Sequence, residues 1–122
     1  MNSNRYMRLS AAFRDKIPPM QAIRIQYTVQ AGFAERNKEN IAKVMEELRS
    51  SNHPDIHYSA YVLEDGKTFM HFVTFKGENQ SSVISSLESF KHFQSEMKAS
   101  QPEVPPKFDN LALVGSSFEH FS

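Results

Sequence analysis

The residue with the clearest potential for chemistry is His71, which lies within the apolar stretch Thr68–Phe75. An imidazole with an ordinary pKa can accept or donate a proton near neutral pH, so in an apolar setting it could act as a general base or orient a ligand. The alternative is a core histidine whose hydrogen bonds are satisfied and which catalyses nothing. The sequence leaves both roles open.

Two tyrosines and two phenylalanines could complete a site around this histidine. Tyr27 and Tyr58 could present hydroxyl groups to a pocket, or they could simply hydrogen-bond inside the core. Phe69 and Phe75 alternate with His71 along the same stretch and could supply an apolar wall. These four are the candidate ligand-binding residues.

Other kinds of site are disfavoured by what the sequence lacks. There is no Cys, which excludes disulfides, thiolate nucleophiles and Cys-based zinc sites, and the five His show no HxH or HExxH spacing. Only four Gly are present, and no glycine-rich phosphate loop or GxSxG nucleophile motif occurs. We therefore expect no metal and no nucleotide cofactor.

Composition and charge restrict the partners. The 122 residues carry a formal net charge of zero, which disfavours nucleic acid as a partner. No apolar run approaches the roughly 20 residues that cross a bilayer, so no membrane association is expected. The cysteine-free sequence is compatible with a reducing compartment, and we expect a cytoplasmic protein.

A hairpin is the strongest local structural signal. Two strand-like segments, Ile56–Leu63 and Thr68–Phe75, flank the turn sequence Glu64-Asp65-Gly66-Lys67. Asp-Gly favours a two-residue type I′ turn, in which both central residues have positive φ. That turn fixes the cross-strand pairs as Val62 with Phe69, Ala60 with His71, and Tyr58 with Val73.

The remaining elements follow from periodicity. Alternation over Ile23–Val29 predicts a first strand, and apolar residues at helical spacing predict two amphipathic helices. The helical stripes are Ile41, Val44, Met45 and Leu48, then Val83, Leu87, Phe90 and Met97. Prolines 102, 105 and 106 are expected to end the second helix, and Leu111, Leu113 and Val114 suggest a fourth strand. This order predicts an α+β, ferredoxin-like βαββαβ fold, with two helices on one face of a four-stranded antiparallel sheet.

The chain divides into two regions. Residues 1–21 contain four basic residues and one Asp, a formal charge of +3, and form a basic N-terminal extension. The extension could be partly ordered, form a short amphipathic helix, or act as an organelle presequence. Residues 22–122 form the predicted domain.

The sheet face without helices predicts self-association. It retains Tyr61, Leu63, Met70 and Phe72, an apolar patch that a soluble monomer rarely leaves in water. Sheet-to-sheet packing would cover the patch, so we expect a homodimer formed through this face.

The segment Phe69-Met70-His71-Phe72-Val73-Thr74-Phe75, followed by a helix ending Lys91-His92-Phe93-Gln94, resembles the antibiotic biosynthesis monooxygenase family of dimeric α/β barrels. The chain departs from the family pattern at Phe75, where many members carry Trp, and at Leu87, where many carry His. The resemblance implies a pocket between sheet and helices for a small aromatic or apolar molecule. It also adds His92 to His71 as a candidate catalytic residue, although a histidine near a helix C-terminus also has a structural role through the helix dipole.

Two functions are therefore expected. The resemblance implies cofactor-independent oxidation of a small aromatic or apolar molecule by a monooxygenase-like oxidoreductase. The alternative is a non-catalytic ligand-binding or interaction module on the same dimeric barrel. The sequence does not decide whether the protein is an enzyme.

Overall fold

Four strands form one antiparallel sheet in the computed structural model, which describes residues 20–77 and 80–121. The strands are β1 (Met20–Thr28), β2 (Ile56–Val62), β3 (Thr68–Lys76) and β4 (Val104–Leu111). Their spatial order is β2-β3-β1-β4, so β3 and β1 are the central strands and β2 and β4 are the edge strands, as in a ferredoxin-like fold. The predicted fold class is confirmed.

Within the described residues, three helices pack on one face of this sheet. They are α1 (Ala34–Ser50), α2 (Gln80–Ser86) and α3 (Glu88–Ala99), and a short 3₁₀ turn, Ala31–Phe33, precedes α1. Helix residues such as Val44, Leu48 and Phe93 are buried against Val73 and Phe75 of β3. This helix–sheet layer is the hydrophobic core.

The second predicted helix is interrupted. Leu87 has extended backbone angles (φ −66°, ψ 132°) between α2 and α3, while its side chain stays buried. Side chains compensate for the lost helical hydrogen bonds, because Ser86 donates to the Val83 carbonyl and Glu47 of α1 accepts from the Ser89 backbone and hydroxyl. The predicted apolar stripe is therefore split between two helices.

The hairpin has the predicted register but a different turn. Tyr58 pairs with Val73, Ala60 with His71, and Val62 with Phe69. Only Gly66 (φ +76°) adopts positive φ in this loop, so the predicted type I′ turn is wrong. The loop spans residues 63–67, and Asp65 stabilises it by accepting hydrogen bonds from the backbone N–H groups of Lys67 and Thr68.

The fourth strand lies earlier in the sequence than predicted. It runs from Val104 to Leu111 and includes Pro105 and Pro106, two of the three prolines predicted to end the second helix. Proline is tolerated here because β4 is an edge strand that pairs with β1 alone. Phe108 lies opposite Ile25 of β1, so both side chains belong to the same face of the sheet.

In the described part of the chain, the opposite sheet face is largely free of helices. Tyr61 is 60% exposed there and contacts Phe72 edge to face. A groove of about 550 Å³ on this face is bordered by residues 111–114 and by His120. The C-terminal segment returns to the sheet at Phe121, whose ring stacks on His57 of β2.

Most of the predicted N-terminal extension lies outside the described residues. Of residues 1–21, Met20 and Gln21 are described, and they form the beginning of β1. No helix within 20–77 or 80–121 is long and apolar enough to cross a membrane.

Candidate functional site

A cavity of about 640 Å³ lies between the sheet and α3, beside β4. This volume falls within the range of roughly 300–1,000 Å³ that is usual for small-molecule sites. The walls are mainly apolar, with a few polar groups at the sheet. The lining residues are Ile25, Tyr27, Tyr58 and His71 from the sheet, Phe90, Phe93, Gln94, Met97 and Lys98 from α3, and Pro102, Pro105, Pro106 and Phe108 from the segment that includes β4.

A chain of hydrogen bonds runs across the sheet at this cavity. Tyr27 Oη lies 2.9 Å from His71 Nε2, and Tyr58 Oη lies 2.8 Å from His71 Nδ1. The strand register explains the arrangement, because β3 lies between β1 and β2 and the two tyrosines occupy positions diagonal to His71 on its neighbouring strands. Both ring nitrogens therefore have a phenolic partner.

Burial determines the protonation of these three groups. His71 is 2% exposed, and loss of hydration lowers its pKa to about 4, so the imidazole is neutral at physiological pH. Burial raises the pKa of Tyr27 and of Tyr58, and for Tyr58 the nearby Tyr27 adds to the effect. The site thus consists of neutral hydrogen-bonding groups with little tendency to become charged.

Helix α1 contributes a fourth member of this chain. Asn37 is completely buried, and its Nδ2 donates to Tyr27 Oη over 2.8 Å. Its Oδ1 has no hydrogen-bond partner among the described residues. Asn37 also precedes Ile41, Val44 and Leu48 by four, seven and eleven positions. This helical spacing predicts that Asn37 lies on the buried stripe of α1, although Asn37 was not among the predicted site residues.

The structure brings three of the six predicted site residues together at the cavity, namely Tyr27, Tyr58 and His71. Phe69 lies in the core, where its ring stacks on Tyr27 with centroids 5.6 Å apart, so it contacts the site through Tyr27. Phe75 is also buried and borders a separate, smaller cavity of about 110 Å³.

His92 lies away from the cavity. Its side chain is 48% exposed on α3, and its Nε2 is 3.4 Å from Glu96 Oε1. Glu96 also accepts hydrogen bonds from Arg36 and Asn40 of α1, and the Arg36 contact is the largest cause lowering the Glu96 pKa to about 2. His92 thus adjoins a polar connection between α1 and α3.

The other walls of the cavity were not identified from the sequence. Helical spacing places Phe90 and Met97 on a core stripe, and Pro105 and Phe108 lie in a stretch that the sequence does not predict to be a strand. Phe108 reaches the cavity because β4 begins at Val104 and pairs Phe108 with Ile25 of β1.

The cavity combines apolar walls with neutral hydrogen-bonding groups at one end. Lys98 is the charged residue among those lining the cavity, and it is exposed. Across residues 20–77 and 80–121, no group of three or more His, Asp or Glu side chains could hold a metal ion. The polar end of the cavity carries phenol hydroxyl groups, and both ring nitrogens of the neighbouring His71 are already bonded to them.

Several solved structures share this fold over most of their length. A protein from Caulobacter crescentus CB15, provisionally named an antibiotic biosynthesis monooxygenase, has a TM-score of 0.68 at 12% identity, covering 85% of this chain and 99% of its own. Rv0793 from Mycobacterium tuberculosis has a TM-score of 0.67 at 10% identity, with coverages of 82% and 100%. SnoaB, a cofactor-independent oxygenase from Streptomyces nogalater, has a TM-score of 0.62 at 8% identity, with coverages of 82% and 98%.

These similarities concern the fold. No family model and no curated protein matches the sequence. The resemblance indicated by the β3 and α3 segments is confirmed as a structural likeness, because many of the matching structures carry the antibiotic biosynthesis monooxygenase name.

Proposed function

We propose that the protein binds a small, mainly apolar aromatic molecule in the cavity at His71 and oxidises it as a cofactor-independent, monooxygenase-like enzyme. The observation that carries the proposal is a buried imidazole, held by a tyrosine at each nitrogen, at the polar end of an otherwise apolar cavity. The name of the structural neighbour SnoaB, a cofactor-independent oxygenase, supports this class of reaction.

In such a reaction the substrate supplies the electrons. A hydroquinone with a free ring position and O₂ would give a hydroxyquinone and water. One oxygen atom is inserted into a ring C–H bond, and the other leaves as water with the two hydroxyl hydrogens. The hydroquinone releases one hydroxyl proton to solvent water, which leaves negative charge on a substrate oxygen, and preorganised hydrogen bonds in the cavity stabilise that charge. The released proton is recovered in the product water. Tyr58, backed by His71, is the proposed donor, and the aromatic residues of α3 hold the ring.

The test is oxygen transfer to 1,4-naphthohydroquinone under ¹⁸O₂. The wild type is expected to form a hydroxyquinone carrying one ¹⁸O atom, detected by mass spectrometry above the autoxidation background. His71→Gln and Tyr58→Phe should lower this rate by about tenfold or more. His92→Ala is the matched control and should retain it. No incorporation by the wild type over a panel of hydroquinones removes the oxygenase assignment.

A second function, ligand binding without catalysis, is favoured by one observation. Both His71 nitrogens are occupied by protein hydroxyl groups, which is also how a satisfied structural histidine is held. Saturable binding of the probe without oxygen consumption would identify this function.

We further propose that the protein is a cytoplasmic homodimer formed through the open sheet face. Tyr61 and the C-terminal residues Leu113 and Val114 leave apolar surface exposed there, around the groove at Phe72. A second copy would remove that surface from water, which stabilises association by about 25 cal/mol per Å² of apolar area. The dimer would also complete the predicted α/β barrel.

A further inference from the structure

We infer that Asn37 sets the direction of the hydrogen-bond chain, so that Tyr58 presents a donor, and not an acceptor, to the cavity. Asn37 would thus act as a positioning residue for the site. The inference rests on the proposed function in one respect, namely that the cavity at His71 is where the ligand binds.

The argument begins at the buried end of the chain. The amide Nδ2 of Asn37 donates to Tyr27 Oη, and an amide nitrogen has no lone pair with which to accept a hydrogen bond. The single hydroxyl hydrogen of Tyr27 must therefore be directed elsewhere. Its other partner is His71 Nε2, 2.9 Å away, so Tyr27 donates and Nε2 accepts.

The tautomer of His71 follows from this step. A neutral imidazole carries one ring hydrogen, and an Nε2 that accepts cannot hold it. The hydrogen is therefore on Nδ1. Since Nδ1 lies 2.8 Å from Tyr58 Oη, the imidazole donates to Tyr58. The low pKa that burial gives His71 keeps the ring in this neutral form at physiological pH.

Tyr58 then has its own hydroxyl hydrogen free to point away from His71. Because Tyr58 and His71 both line the cavity, that hydrogen is available to a bound molecule. Each member of the chain donates toward the cavity, and such aligned hydrogen bonds strengthen one another. The site should therefore prefer a ligand whose buried end is an oxygen acceptor, such as a ketone or an ionised phenol, over a hydrocarbon of the same shape.

The direction can be measured in the free protein. Long-range ¹H–¹⁵N spectra of full-length protein labelled with ¹⁵N-histidine distinguish the protonated ring nitrogen from the unprotonated one. We expect His71 to be the Nδ1–H tautomer at pH 7.5. An Nε2–H tautomer would overturn the inference.

Variants separate the role of Asn37 from general packing. Asn37→Leu should abolish the single-tautomer state of His71, whereas Asn40→Leu should leave it unchanged. Asn40 is the matched control because it is also buried on α1 but donates to Glu96, outside the chain. If Asn37→Leu does not fold, Tyr27→Phe removes the same connection between Asn37 and His71. Retention of the wild-type tautomer in whichever variant folds would overturn the role of Asn37.

The ligand preference has its own experiment. 1-Tetralone and tetralin differ by one carbonyl oxygen, and their dissociation constants can be compared by competition or calorimetry. We expect the ketone to bind about fivefold more tightly, as one net hydrogen bond allows, and Tyr58→Phe to remove the difference. Equal affinity in the wild type would overturn the donor role of Tyr58. Failure of both probes to bind would instead count against the proposed aromatic ligand, while the tautomer would still report the direction of the chain.

Discussion

Removing the hydroxyl of Tyr27 should destabilise the protein far more than the same change elsewhere. In the Tyr27→Phe variant the ring can keep its stacking on Phe69, but Asn37 Nδ2 and His71 Nε2 each lose a partner. All of these groups are almost fully buried, so water cannot replace the lost hydroxyl. At about 1–3 kcal/mol for each of these two unsatisfied buried groups, we expect a loss of roughly 2–6 kcal/mol in the free energy of unfolding.

Two further Tyr→Phe variants calibrate this figure. Tyr58→Phe removes one of the two hydrogen bonds to His71, at a half-buried position, and should cost about 1 kcal/mol. Tyr61→Phe deletes the same atom on the open sheet face, where the ring is 60% exposed, and should stay within about 0.5 kcal/mol of the wild type.

Urea unfolding at one protein concentration is the appropriate assay. A lower midpoint with an unchanged m-value would report stability alone, and a fixed concentration removes any contribution from self-association. If Tyr27→Phe were as stable as Tyr61→Phe, the Asn37–Tyr27–His71 chain would not exist in solution as described.

Three other changes have defined outcomes. Burial lowers the pKa of His71 to about 4 from an ordinary 6.5. Between these two pH values the unfolded chain takes up a proton that the native state does not. The free energy of unfolding should therefore fall by roughly 3 kcal/mol as the pH decreases from about 6.5 to 4. Urea titrations across this pH range should show a smaller pH dependence of the free energy of unfolding in His71→Phe than in the wild type. An identical pH dependence in the two proteins would contradict the burial of His71. Gly66→Ala places a side chain at φ +76° and should cost about 1 kcal/mol by thermal unfolding, whereas Gly32→Ala, without positive φ or a neighbour within 4 Å, should be nearly neutral. Tyr61→Asp on the proposed interface should halve the mass found by light scattering at micromolar concentration, and a wild type with a mass near 14.0 kDa would remove the dimer proposal.

Local patterns in the sequence were sufficient to predict most of the fold. The position of Asp65-Gly66 gave the β2–β3 register because loop length and strand alternation together leave one alignment with the apolar residues on a single face. The turn type was wrong because the Asp65 side chain stabilises a wider loop, and such side-chain interactions are not specified by a dipeptide preference. Strand β4 was misplaced because its prolines are acceptable only at a sheet edge, and edge position is a property of the assembled sheet.

The site was predicted less completely than the fold. His71 and Tyr58 could be placed on one face from the hairpin register, and Tyr27 shares that face because β1 pairs with β3 in the register Tyr27–Phe69. The contact with Asn37 depends on how α1 crosses the sheet, which periodicity does not determine. For the same reason, His92 could not be assigned to the exposed side of α3 until the helix was seen packed.

The most direct test of a ligand site at His71 is an NMR titration of the full-length, ¹⁵N-histidine-labelled protein with 1-tetralone. Binding in the cavity should shift the His71 ring signals in a saturable manner and leave those of the exposed His92 unchanged. Saturable binding that leaves the His71 signals unmoved would place the ligand elsewhere and contradict the account.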